Sequence, residues 1–100
     1  MPHLRLRGFY HDAEAPFPAL LDTLAALAGC PADWFTVEVV ATRFITPASP
    51  MVEVLWFPRE QAVQDRIARA ITEAYAKESP TIVFFALGKS DYYEDGKNFA

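Results

Sequence analysis

The sequence predicts an α+β fold, a two-layer sandwich in which two helices cover one face of a four-stranded mixed sheet. Three observations carry this. Pro50-Met51-Val52-Glu53-Val54-Leu55-Trp56-Phe57 echoes Pro2-His3-Leu4-Arg5-Leu6-Arg7-Gly8-Phe9 with an offset of 48 residues. Proline matches proline, Leu4 and Leu6 match Val52 and Val54, and Phe9 matches Phe57. Each copy leads into a helical pattern and then another strand, so the chain reads βαβ twice. Each helix has one apolar stripe, which places both in a single layer on the sheet. Right-handed crossovers make each βαβ unit parallel within itself. The pseudo-repeat then sets strands one and three side by side and antiparallel at the sheet centre.

Strand one alternates Leu4 and Leu6 with His3, Arg5 and Arg7, the period of a strand with one apolar face. His11 to Pro16 is a polar connector, and the pair His11-Asp12 reads as part of a solvated loop. The first helix carries Phe17, Leu20, Leu21, Leu24, Leu27 and Ala28 at spacings of three and four. Pro16 and Pro18 fit only its first turn, and Gly29 followed by Pro31 ends it. Trp34 to Ile45 reads as strand two, with Phe35, Val37, Val39 and Ala41 on one face and Thr36, Glu38, Val40 and Thr42 on the other. Thr46-Pro47-Ala48-Ser49-Pro50 is the joint between the halves. Strand three, Met51 to Phe57, puts Val52, Val54 and Trp56 on its core face. Pro58 is expected to open helix two, which packs through Val63, Ile67, Ala70, Ile71, Ala74 and Tyr75. Thr81 to Leu87 is almost unbroken apolar, as for a strand covered on both faces. The tail is loop-like, but Tyr92, Tyr93 and Phe99 mark it as a segment that docks on its own sheet or on a neighbour.

One hundred residues is expected to form a single domain over 1–100, burying roughly two-thirds of its unfolded surface. An apolar content of 52% is rich for so short a chain and points to further burial in an oligomer. A net charge of −4 without a Lys/Arg run argues against nucleic acid or an acidic membrane as partner. No segment is long enough for a signal or a membrane span, so a cytoplasmic location is the expectation. Two histidines and one cysteine, far apart in sequence, give no metal-ligand spacing, and isolated glycines give no phosphate loop. No cofactor is implied.

On the open sheet face, Arg5 and Arg7 are expected beside Glu38 and Glu53, with Arg5 paired to Glu53. Four charges on a half-buried face are costly unless paired or part of a site. Pro2 adds the chemistry. Removal of Met1 before proline would leave a free secondary amine, rigid in its ring and basic. A desolvated setting near other cations lowers the pKa of such an amine and makes it a usable base near neutrality.

This arrangement, with Pro2 heading strand one of a βαβ–βαβ chain, resembles the tautomerase superfamily, which includes 4-oxalocrotonate tautomerase (4-OT) and macrophage migration inhibitory factor. The stretch Gly29-Cys30-Pro31-Ala32-Asp33-Trp34-Phe35-Thr36-Val37-Glu38-Val39-Val40 and the closing Phe99-Ala100 are similar to the inhibitory factor. The runs Pro2-His3-Leu4-Arg5 and Met51 to Phe57 resemble an uncharacterised branch of the group. The resemblance implies a homotrimer with sites at subunit boundaries and Pro2 as general base or acid. Cys30 stands where the inhibitory factor has a lysine, and Glu38 where 4-OT has a substrate-binding arginine. Arg59 is the best replacement for the lost charge and Arg43 the second, with Glu38 and Tyr93 as polar groups around the site. A glutamate near the proline suits water activation or proton relay.

The function expected is a cofactor-free tautomerase or isomerase, hydratase-like in some forms, acting on a small keto or enol acid. The alternatives are a non-catalytic trimeric binding or regulatory protein on the same scaffold, and a ferredoxin-like interaction module in which Pro2 merely starts a strand.

Overall fold

The computed structural model describes all 100 residues. Four strands, β1 (His3–Arg7), β2 (Thr36–Val40), β3 (Met51–Trp56) and β4 (Thr81–Ala86), form one sheet in the order β2-β1-β3-β4. β1 runs parallel to β2 and antiparallel to β3, and β3 runs parallel to β4. Helices α1 (Phe17–Ala28) and α2 (Gln61–Ala74) make the second layer. The fold class and the antiparallel pairing at the centre are those expected from the repeated pattern. β1 pairs with β3 in the register that sets Arg5 opposite Glu53.

Side-chain alternation decides the two sheet faces. Leu4, Leu6, Val52, Val54 and Trp56 are at most 2% exposed and meet Leu20, Leu24, Ile67 and Ile71 from the helices in one core. α1 ends as its sequence dictates, since Gly29 takes the left-handed conformation (φ 69°) and its N–H donates to Ala25 O.

Several boundaries differ from the sequence reading. β2 stops at Val40, and residues 41–45 leave the sheet; no neighbouring strand lies beyond that edge, and Ile45 is fully exposed. Pro58 does not open α2: Glu60 holds its N-cap position without a side-chain bond, and Phe57-Pro58-Arg59 is a separate passage outside the helix. β4 is not covered on both faces, because it is the other edge strand and Phe85 is 45% exposed. The tail closes with a two-stranded hairpin of β5 (Tyr93–Glu94) and β6 (Lys97–Asn98).

All four open-face charges are paired, with partners other than expected. Arg5 pairs with Glu38 (2.9 Å) and Arg7 with Glu53 (3.0 Å), so the predicted Arg5–Glu53 bridge does not form. A long guanidinium is not confined to the residue directly opposite. Arg5 turns to its level partner on β2, and Arg7 reaches diagonally to β3. The Glu53 side chain is only 9% exposed, whereas that of Glu38 is 48% exposed. Glu38 also meets His3 Nε2 (3.1 Å), and that bond, then the charges of His3 and Arg5, hold its carboxyl below the usual range against a smaller opposing effect of burial.

The end of the sheet where β1 finishes is closed by polar contacts. Glu78, just past α2, is buried and accepts the N–H groups of Tyr10 and His11, both at 2.8 Å, as well as the His11 ring Nδ1. Burial opposes its charge, but these donors outweigh it and keep the carboxyl below its ordinary value. Tyr75 donates to Ala13 O, and Tyr10 donates to Ala48 O at 2.7 Å. The connector of residues 8–16 is therefore anchored, and His11, though its ring is largely exposed, is not free in a solvated loop.

Candidate functional site

At the opposite end, antiparallel pairing of β1 with β3 brings the start of one beside the finish of the other. The parallel partners add the start of β2 and the finish of β4. Five segments meet there: the N-terminus, the short 3-10 turn Ala32–Trp34, the passage after β3, a second 3-10 turn Lys89–Asp91, and the tail hairpin. They enclose an open pocket of about 770 Å³ lined by Met1, Asp33, Trp34, Phe57, Pro58, Arg59, Lys89, Glu94 and Phe99.

Pro2 is fully buried directly behind Met1, and its carbonyl accepts the Thr36 N–H at 3.0 Å, which fixes the strand head against β2. Arg59 is held by the backbone. Its Nη1 donates to Phe57 O at 2.6 Å and its Nε to Ala28 O at 3.3 Å, while the guanidinium lies 5.4 Å from the Trp56 ring centre. Those bonds orient the guanidinium without neutralising it, and no carboxylate lies within ion-pair distance. The aromatic wall is a cluster in which Phe57 meets Tyr92 edge-on (5.1 Å) and Phe99 in a stack (6.0 Å). The Tyr92 hydroxyl donates to Glu94 at 2.8 Å, and that bond with the adjacent charge raises the phenol's pKa. The pocket thus sets two cations, Arg59 and Lys89, and two carboxylates, Asp33 and Glu94, among aromatic walls beside a buried strand head.

The structure brings two of the residues picked from sequence to this place and not the others. Arg59 lines the pocket, and Pro2 stands immediately behind its Met1 wall. Glu38 lies on the open sheet face with Arg5 and His3, outside the lining. Arg43 follows β2 and so sits beyond the far end of that strand. Tyr93 is 60% exposed in the hairpin; the tail tyrosine that packs at the pocket is Tyr92. None of the four open-face charges lines the pocket. Asp33, Lys89 and Glu94 were not singled out from sequence. They sit in short turns without periodicity, and the one available signal was the aromatic content of the tail.

A doubly repeated βαβ sandwich of this topology is the fold class of 4-OT and macrophage migration inhibitory factor structures. Within that class the chain belongs to the family described as domain of unknown function DUF1904, whose model matches residues 1–98. It is similar to a DUF1904 domain from Sebaldella termitidis (41% identity, TM-score 0.84, covering 99% of this chain and 100% of that one). It is also similar to a protein of unknown function from Vibrio cholerae (39% identity, TM-score 0.86, 98% and 87% covered). At 14% identity it shares the fold of macrophage migration inhibitory factor from Toxoplasma gondii (TM-score 0.75, 97% and 99% covered). At 15% identity it shares that of a fused 4-OT described as an asymmetric trimer (TM-score 0.73, 96% and 94% covered). Comparison with curated proteins gives no match.

Proposed function

We propose that the chain is a cofactor-free tautomerase or isomerase, extending to hydratase-type chemistry, that uses the free amine of Pro2 on a small keto or enol acid. The observation that carries this reading is the convergence of the chain's N-terminus and the charge-unpaired Arg59 on one pocket. Loss of Met1 would expose the Pro2 nitrogen where Met1 now stands. Arg59, already oriented by two carbonyls, would take the substrate carboxylate, and Lys89 would add a second positive charge. Desolvation, Arg59 and Lys89 would favour the neutral, basic form of the amine, against the carboxylates Asp33 and Glu94. Glu38, Tyr93 and Arg43 lie outside this pocket in one protomer and would reach a site only across a subunit boundary.

The working form would be a homotrimer in the cytoplasm. The fused 4-OT named above is a trimer, and this chain leaves Val37 and Val39 exposed at one sheet edge and Phe85 at the other. No helix is long and apolar enough to cross a membrane. Sedimentation giving a monomer at micromolar concentration would defeat the trimer.

A second reading is a non-catalytic binding or regulatory protein, in which a retained Met1 would keep the Pro2 nitrogen an amide and line the pocket. Mass spectrometry of the N-terminus, followed by an activity screen of Met-free protein against enolisable 2-keto acids, decides between them. Turnover by the Met-free form alone is the expected result. Inactivity of that form throughout the screen favours the binding protein.

A further inference from the structure

Arg59 has an aromatic neighbour that its counterpart in the other half lacks. With the offset of 48 residues, Trp56, Pro58 and Arg59 match Gly8, Tyr10 and His11. No ring fits at the end of β1: Gly8 has φ 73°, and a Cβ there would meet Ser49 O at 2.7 Å and Phe44 at 2.8 Å. His11, beyond it, is bound to Glu78. At the end of β3 the Trp56 ring lies 5.4 Å from the Arg59 guanidinium. The Leu87 N–H donates to Trp56 O at 2.8 Å, and Phe84 meets the indole at 5.1 Å, so backbone and ring are both fixed.

Trp56 is a costly residue for its place. It is 1% exposed, and its indole Nε1–H is the only buried side-chain nitrogen or oxygen without a hydrogen-bond partner. An orphaned donor destabilises a core, and a phenylalanine or leucine would bury apolar surface without one. What the indole supplies in exchange is the ring face that attracts a cation most strongly. Arg59 sits where that attraction counts. It follows β3 in the passage before α2, and its Nε reaches the carbonyl end of α1 at Ala28, where a helix favours positive charge. Of a guanidinium's five N–H groups, Nε and Nη1 give one each to Ala28 O and Phe57 O, which leaves three for a ligand.

We propose that Trp56 is a positioning residue of this pocket: its ring, with the carbonyl end of α1, holds the Arg59 guanidinium in one orientation and so sets the preference for a ligand that ends in a carboxylate. The inference rests on the reading of Arg59 as the carboxylate-binding group. Trp56 is not among the residues that line the pocket, and it acts through Arg59. A free arginine surrenders rotamer freedom when it grips a carboxylate, and one seated beforehand does not. The seat is also uncharged. It orients the cation without cancelling it, as a carboxylate in the same place would.

The test uses the Met-free chain with Trp56→Met, which fills the core with a flexible apolar side chain, and Trp56→Phe, which keeps a ring face. Circular dichroism verifies that each folds. The first readout is the NMR signal of the Arg59 Nε–H, assigned by its loss in Arg59→Lys. It should stand away from the free-arginine position in the parent and in Trp56→Phe, and return to that position in Trp56→Met. The second is affinity for pyruvate relative to pyruvamide, its neutral amide. That ratio should fall about tenfold in Trp56→Met and recover in Trp56→Phe, whereas a merely loosened core would weaken both ligands alike. A free-arginine signal in the parent overturns the seat without any variant, and so does either a parental signal or a parental ratio in folded Trp56→Met. Where Trp56→Met does not fold, the parent's Trp56 indole N–H signal decides the same question: it should move with pyruvate and not with pyruvamide, and an unmoved signal overturns the role. A parent with a fixed Arg59 but no preference for pyruvate overturns the carboxylate reading of Arg59, and this role with it.

Discussion

The two ends of the sheet are built from corresponding pieces and arrive at opposite states. At one end Pro50 is buried, Glu78 is buried beneath three donors, and the connector of residues 8–16 is tied down by Tyr75 and Tyr10. At the other Pro2 is buried, Asp33 is unpaired, and a pocket of about 770 Å³ stands open. At the open end Pro58 stands in place of an N–H donor, and Arg59, bonded to backbone carbonyls, stands in place of the histidine that binds Glu78. A sealed end contributes stability, whereas an open end retains polar groups available to a ligand, the usual division between scaffold and site.

The sharpest way to break the comparison is to change both prolines. In Met-free protein, Pro2→Ala should lower keto–enol activity about 10²-fold or more, the usual weight of a general base. Pro50→Ala should act only through stability, because its nitrogen is an amide. Equal residual activity in two folded variants would remove the functional difference between the ends.

The carboxylates give the next largest effect, on stability and with the ends reversed. Glu78→Gln replaces a buried acceptor of three donors by an amide that cannot satisfy them all. Thermal melting should show Tm lowered by roughly 10 °C, against a change within about 2 °C for Asp33→Asn. Similar shifts at both positions would mean that the far end is not sealed by Glu78.

Titration sharpens the same point. The depressed Glu78 carboxyl stabilises the fold above its unfolded value, near 4.3, and that contribution is lost as pH falls through its lower folded value. At the same end, burial and then the Asp12 charge raise Tyr75 to about 12. Its contribution is complete below the unfolded tyrosine pKa near 10 and is lost as pH rises toward 12. Tyr75→Phe should flatten the alkaline limb of a stability–pH curve, and an unchanged limb would show that Tyr75 does not couple to unfolding.

The smallest expected difference lies within the sheet. Glu53→Gln leaves Arg7 unpaired beside a nearly buried position and should cost about 1–2 kcal/mol in denaturant melts, reduced by the partial exposure of Arg7. Glu38→Gln, at an exposed edge, should leave Tm within about 2 °C. A larger loss at Glu38 would indicate that the edge is covered in solution.

What the sequence made legible follows from periodicity. The strand order, the Pro16 and Gly29 ends of α1, and the four charges on one face all rest on regular spacing or on residues with one dominant conformation. That Pro2 and Arg59 fall at the same end of the sheet follows from the pairing, because antiparallel neighbours must bring the head of one strand beside the end of the other. Glu38 lies outside this pocket for the converse reason: alternation fixes a mid-strand residue on a face, not at the strand end where the pocket lies. The partners of Arg5 and Arg7 escaped because a long side chain reaches more than one neighbour. Asp33 and Lys89 escaped because short turns carry no period.

Met1 and Phe99 line the same pocket, and this bears on how the protein is prepared. An affinity tag fused before Pro2 keeps its nitrogen acylated, and one added after Ala100 emerges beside the pocket mouth. Inactivity of either fusion would report on the tag and not on the protein. Untagged material, or a removable amino-terminal fusion that leaves Pro2 as the first residue, is the form in which a substrate screen has meaning.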